Sequence, residues 1–129
     1  MSETTAVIYS VENSVAWLRL NRPEHMNAMT NALMQGISTG VANVREDPSI
    51  RVLVITGEGR GFGAGADLNQ VAEGSSPAES AGKPVEETKV DYFNKALADL
   101  KNCRVPTTAR VTGPAAGGGL GLALSCDIT

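Results

Sequence analysis

Residues 57–68 read Gly-Glu-Gly-Arg-Gly-Phe-Gly-Ala-Gly-Ala-Asp-Leu, with five glycines in the nine positions from 57 to 65. They follow Val52-Leu53-Val54-Ile55, an apolar run with the β-branched richness of a buried strand. A tight turn alone needs fewer glycines. Without a Cβ the backbone can take positive φ, and another group can lie directly on its amides. Asp67 reads as the N-cap of a short helix through Leu68 to residue 72. Strand, glycine loop and helix start together put bare N–H groups where negative charge is favoured. The competing reading is a flexible surface loop.

A second stretch argues against that competitor. Residues 113–124, Gly-Pro-Ala-Ala-Gly-Gly-Gly-Leu-Gly-Leu-Ala-Leu, repeat the logic of strand, glycine-rich turn and apolar helix. A helix apolar on nearly all sides is expected to be buried inside the domain. Two backbone N–H groups converging from separate loops make the simplest oxyanion hole. Each such donor contributes roughly 3–4 kcal/mol when aimed at charge that develops in a transition state.

Composition narrows the function classes. The chain has 129 residues, enough for one compact domain, and its 42% hydrophobic and 19% charged content is that of a soluble globular protein. A net charge of −3 leaves no basic footprint, so nucleic acid is not an expected partner. No apolar run approaches the roughly 20 residues that span a bilayer, so no membrane role is expected. The opening Met-Ser-Glu-Thr-Thr lacks the features of a signal or transit peptide, and a cytoplasmic location follows as an expectation. Cys103 and Cys126 have no zinc-site spacing and suit a reducing compartment. His25 is the single histidine, which argues against His-based triads and multi-histidine metal sites.

Along the chain, residues 6–11 and 15–20 alternate in polarity around Glu12-Asn13-Ser14 and predict a hairpin, with Trp17 in the core. Residues 21–29, Asn-Arg-Pro-Glu-His-Met-Asn-Ala-Met, form a loop leaving a strand end, because Pro23 pushes Arg22 into extended geometry. Such loops are common ligand positions, although Arg22 and His25 taken alone read as solvated. Thr30 is an N-cap candidate, and Leu33, Ile37, Val41 and Val44 share one helix face. Gly36 and Gly40 weaken that helix by about 1 kcal/mol each relative to alanine, which close packing would explain. Asp47-Pro48 ends it, and a strand over 51–56 follows. This order indicates an α/β domain. Residues 73–88, rich in Ser, Glu, Ala and Pro, predict a mobile loop covering a site. Val90, Phe93, Leu97 and Leu100 recur at helical spacing, and 106–111 is a strand candidate.

Residues 59–64, Gly-Arg-Gly-Phe-Gly-Ala, formally match a dinucleotide fingerprint after a strand. That motif wants an acidic residue at a second strand end, and the chain around Glu79 shows no strand. No GxxxxGK[ST] occurs. Asn21-Arg22-Pro23 with Asn27-Ala28, then the 57–68 loop, then Gly113-x-Ala-x-Gly-Gly-Gly and Cys126-Asp127, together resemble the enoyl-CoA hydratase/isomerase (crotonase) family in order and spacing. The resemblance covers essentially the whole chain. It implies a spiral core of ββα units in which two peptide N–H groups hold the thioester oxygen of an acyl-CoA as it becomes an enolate. By motif position the resemblance implies Ala66 and Gly118 as the donors, and a Cβ on Gly118 would then be expected to intrude where the thioester oxygen sits. CoA would lie along Glu24, His25 and Met26 and along Ala64, Ala66, Asp67 and Leu68, much of it against backbone. CoA arrives as part of the substrate, so no separate cofactor and no metal are implied, and the assembly implied is a homotrimer or hexamer.

Two departures from the family pattern bear on the reaction. The position that carries a glutamate in the hydratases is Gly121 here, which tilts the expectation from hydratase toward isomerase. A second family carboxylate would fall beyond Thr129. The sequence therefore resembles an N-terminal half, an incomplete core within a single domain over 1–129, whose apolar residues 120–124 expect cover from a remaining half. The alternative is a non-catalytic member that binds CoA or a partner.

Overall fold

A computed structural model describes residues 5–65 and 90–129. The expectations for Ala66, Asp67 and Leu68, for a helix to residue 72 and for a loop over 73–88 lie outside the described residues. Strand β1 (Val7–Glu12) and strand β2 (Val15–Leu20) form the expected hairpin, antiparallel from Val7↔Leu20 to Glu12↔Val15. Its two turn residues, Asn13 and Ser14, sit at φ 52° and 67°, the two-residue geometry that matches strand twist. Strand β3 (Val52–Gly57) pairs parallel with β2, and strand β4 (Thr107–Arg110) pairs parallel with β3. Pro106 falls outside β4; its carbonyl still accepts from Leu53 N–H at 3.0 Å.

Strand order in the sheet equals chain order, β1-β2-β3-β4. A dinucleotide-binding sheet instead reverses its strand order at a switch point, where the cofactor lies. The 59–64 motif therefore lacks its architectural context here.

Side chains alternate across the sheet. Ala16, Leu18 and Leu20 of β2 and Leu53 and Ile55 of β3 are fully buried in one core with Leu33, Met34, Ile37, Val41 and Val44 of helix α1 (Asn31–Glu46). Helix α2 (Val90–Lys101) packs on α1 and adds Ala96 and Leu100 to the same core. Trp17 points to the opposite face, opposite Ser10 and Val54, and is half-buried with the Arg19 guanidinium 4.8 Å over its ring. The expectation of a core tryptophan is corrected: strand periodicity assigns the core to its even-numbered neighbours.

The ends of α1 are satisfied from both sides. Thr30 Oγ1 accepts from Leu33 N–H at 3.1 Å. At the other end, Arg104 Nη2 donates to the carbonyls of Val44, Asp47 and Ile50 at 3.0, 2.8 and 3.1 Å, tying the helix exit to the entry of β3. The glycines inside α1 have the packing cause anticipated for them, since Gly36 rides over Val7 and Gly40 over the Leu18 side chain. Gly40→Ala is therefore expected to destabilise the protein by about 1–3 kcal/mol through overpacking, although alanine is the better helix former. Denaturant unfolding of the whole protein checks the sign.

Helix α3 (Gly118–Leu124) is buried on one side only, as expected of a stretch that needs cover from a remaining half. Gly119, Leu122 and Ala123 are buried, but Leu120 is 47% and Leu124 66% exposed. One face of this two-turn helix rests on the core, and no described element lies over the other. After it, Thr107 and Asp127 exchange bonds: Thr107 N–H donates to Asp127 Oδ2 and Asp127 N–H to Thr107 Oγ1, both at 2.9 Å. These bonds set Ile128 parallel to Thr108 beyond β4.

Candidate functional site

The loop after β2 is organised by one side chain. Pro23–His25 form a single 3₁₀ turn, and Met26 and Asn27 follow at φ 53° and 56°. Asparagine tolerates this left-handed geometry better than most residues. Asn27 is fully buried. Its Nδ2 donates to the carbonyls of Glu58 at 3.0 Å and Gly61 at 2.8 Å, and its Oδ1 accepts from Arg22 N–H at 2.7 Å. The Arg22 guanidinium donates to Ala28 O at 2.6 Å. Asn27 thus clamps the loop after β2 to the glycine loop after β3. Its place in the motif was readable from the sequence, but its clamping role was not. The cue available was an asparagine between a proline turn and a helix cap, where a left-handed residue is needed.

The sequence-predicted residues divide here. Glu24 and His25 are exposed and Met26 is half-buried, its thioether end lying against Gly61. These side chains are not gathered into a cluster. Ala64 is exposed between buried Gly63 and Gly65. Ala66, Asp67 and Leu68 lie outside the described residues.

The two glycine loops meet directly. Pro114 O accepts from Phe62 N–H at 3.0 Å, Gly63 O accepts from Ala116 N–H at 3.0 Å, and Gly63 and Ala115 form a parallel bridge. Gly63 and Gly119 touch backbone to backbone, with no space for a Cβ at 119. Gly65 takes φ 92° and its carbonyl accepts from Met29 N–H at 2.6 Å. A Cβ on Gly65 would stand 3.3 Å from Ala116 O and 3.5 Å from Gly118 N. Gly117, at φ 52° and ψ −123°, then turns the chain into α3. Three segments, after β2, after β3 and after β4, therefore converge at Gly65 and Gly118. All three leave the same end of the sheet.

Gly118 opens α3, so helix geometry supplies no acceptor for its N–H. Among the described residues no carbonyl accepts from it. An N–H in this position can donate to an anionic oxygen. A Cβ built on Gly118 would meet the Phe93 ring edge at 3.2 Å and Met29 at 3.5 Å. Among the described residues these two side chains, both packed at the core, are its first contacts. At Gly121 a Cβ would stand 3.6 Å from Phe93 Cζ, an ordinary contact. Packing among the described residues does not require glycine there.

The arrangement brings backbone amides together. Among the described residues no group of three or more His, Cys, Asp or Glu could hold a metal ion. Cys126, after α3, is buried and its thiol is pushed up to about 11 by that burial. Because the folded value lies above the unfolded one, the neutral thiol favours folding below pH 9. That contribution is lost as pH rises from about 9 toward 11. Relative to Cys126→Ala, wild-type stability is expected to fall by on the order of 2–3 kcal/mol over that window. Guanidinium unfolding at pH 8 and pH 10.5 measures it. Half-buried Cys103 should also be alkylated before Cys126 in the native protein.

The family model described as enoyl-CoA hydratase/isomerase matches residues 10–129. A probable enoyl-CoA hydratase of Mycobacterium tuberculosis, echA14, is 33% identical over 128 residues, covering 99% of this chain and 47% of that protein. The 1,2-epoxyphenylacetyl-CoA isomerase of Escherichia coli is 37% identical over 123 residues, covering 95% and 45%. The crystal structure of an enoyl-CoA hydratase/isomerase from Mycobacterium paratuberculosis superposes with TM-score 0.82 at 28% identity, over 99% of this chain and 50% of that one. The chain spans about half the length of the curated relatives it matches.

Proposed function

This chain belongs to the enoyl-CoA hydratase/isomerase (crotonase) family, and on that premise we propose that the whole protein acts on an acyl-CoA thioester by stabilising its enolate. A base removes the proton next to the thioester carbonyl, the electron pair moves into the carbon–carbon bond, and the carbonyl oxygen takes the negative charge. Gly118 N–H and Ala66 N–H donate to that oxygen. Fixed donors suit this task because they need no reorganisation as the charge develops. The observation that supports the reading is the Gly118 N–H, without an acceptor among the described residues, beside the point where Gly65 brings the first glycine loop against the second.

In this proposal CoA runs past Glu24, His25 and Met26 and past Ala64 toward Asp67 and Leu68, held largely by backbone. Of the described part of that path, Glu24, His25 and Ala64 are exposed to solvent and Met26 is half-buried. The reaction is isomerisation ahead of hydration, because Gly121 has no side chain to handle a water. The whole protein assembles as a trimer or a pair of trimers, which sedimentation of the intact protein tests.

The same missing carboxylate supports a second reading, a member that binds CoA without turnover. The two are separated in D₂O. The whole protein is incubated with butyryl-CoA, and proton exchange next to the carbonyl is followed by mass spectrometry. Exchange is expected under the enzyme reading. Saturable binding without exchange would replace it with the binder.

A further inference from the structure

Phe93 lies on α2, a half-buried aromatic at the border of the core. Its ring edge faces two glycines of α3 one helical turn apart: Cε1 is the nearest atom to a Cβ on Gly118, and Cζ the nearest to one on Gly121. At Gly121 it is the single described neighbour within contact range. The side-chain-free face of α3 is therefore walled by the Phe93 ring on a separate helix, joined at Gly118 by Met29. Apolar walls with a few placed polar groups are the usual make-up of small-molecule sites. A ring there sets how much volume the glycines leave open.

We infer that Phe93 is a specificity-determining residue that limits the size of the acyl group accepted beside Gly118. This rests on the acyl-CoA reading above and names the substrate class within it, thioesters of short acyl groups. The ring acts by exclusion, so its removal lengthens the accepted chain and its enlargement shortens it.

Titration calorimetry of the whole protein with acetyl-, butyryl- and decanoyl-CoA tests this without depending on turnover. In Phe93→Ala the ratio of decanoyl- to butyryl-CoA affinity should rise at least tenfold, the scale on which apolar pockets sort acyl groups by size. In Phe93→Trp the ratio should fall, and in Phe93→Leu it should move less than in the alanine variant. Thermal melts of the same samples show which variants are folded, and the leucine and tryptophan variants retain bulk if the alanine variant is not. Folded variants that bind all three ligands with the wild-type ratio would overturn this inference alone. Wild-type protein that binds none of the three would overturn the acyl-CoA reading and this inference with it.

Discussion

Gly118→Pro is expected to slow proton exchange on butyryl-CoA by about 10²–10³-fold relative to Gly118→Ala in the whole protein, the cost of losing one oxyanion donor. The comparison is chosen for what the two variants share. Both add a Cβ that meets Phe93 and Met29. Proline alone removes the N–H. It also fits: the first position of a helix accepts proline, whose fixed φ suits that turn. The preceding residue, Gly117 at φ 52° and ψ −123°, is outside the α region that a following proline disfavours. A merely structural glycine would give two variants that lose stability and activity together. Equal exchange rates in folded proline and alanine variants would remove Gly118 N–H from the mechanism.

Asn27→Ala is expected to cost about 3 kcal/mol or more in denaturant unfolding. The loss has three sources: the carbonyls of Glu58 and Gly61 lose their donor, Arg22 N–H loses its acceptor, and alanine inherits φ 56°. Asn27→Asp separates these. It keeps an acceptor for Arg22 N–H but turns a carboxylate toward two carbonyl oxygens, so burial and repulsion raise its pKa above the unfolded value. The protonated acid can donate to one of them. Stability of Asn27→Asp should therefore increase as pH falls through that raised pKa, the opposite of the usual buried carboxylate in an ion pair. A loss under 1 kcal/mol in Asn27→Ala would mean that the loops after β2 and β3 do not depend on this clamp.

Much of the fold was legible because local signals and tertiary packing agree. The hairpin, Thr30 as N-cap and the Leu33-Ile37-Val41-Val44 face follow from periodicity and capping alone. Gly36 and Gly40 looked like helix weaknesses and proved to be crossing points over Val7 and Leu18, a cause that lives in a different element. Trp17 misled because hydrophobicity suggested core, whereas its strand parity sends it to the other sheet face. Residues 120–124 were expected to need cover from a remaining half, and Leu120 and Leu124 are exposed among the described residues.

The site was legible as motifs and less so as contacts. Glycine spacing announced close backbone approach, and Gly63 against Gly119 is its realisation. Which loops approach each other is set by strand order, a long-range property that no local window contains. Asn27 and Phe93 could not be assigned from sequence for the same reason, since each works on residues of another element.

The most direct test of the account observes the thioester carbonyl itself. Butyryl-CoA carrying ¹³C at the carbonyl is bound to the whole protein, and its infrared stretch is compared with that of the free ligand in water. Donation from Gly118 and Ala66 should polarise the bond and lower its frequency, with part of that shift lost in Gly118→Pro and kept in Gly118→Ala. A bound carbonyl that vibrates at its frequency in water, in wild type and both variants alike, would contradict the account.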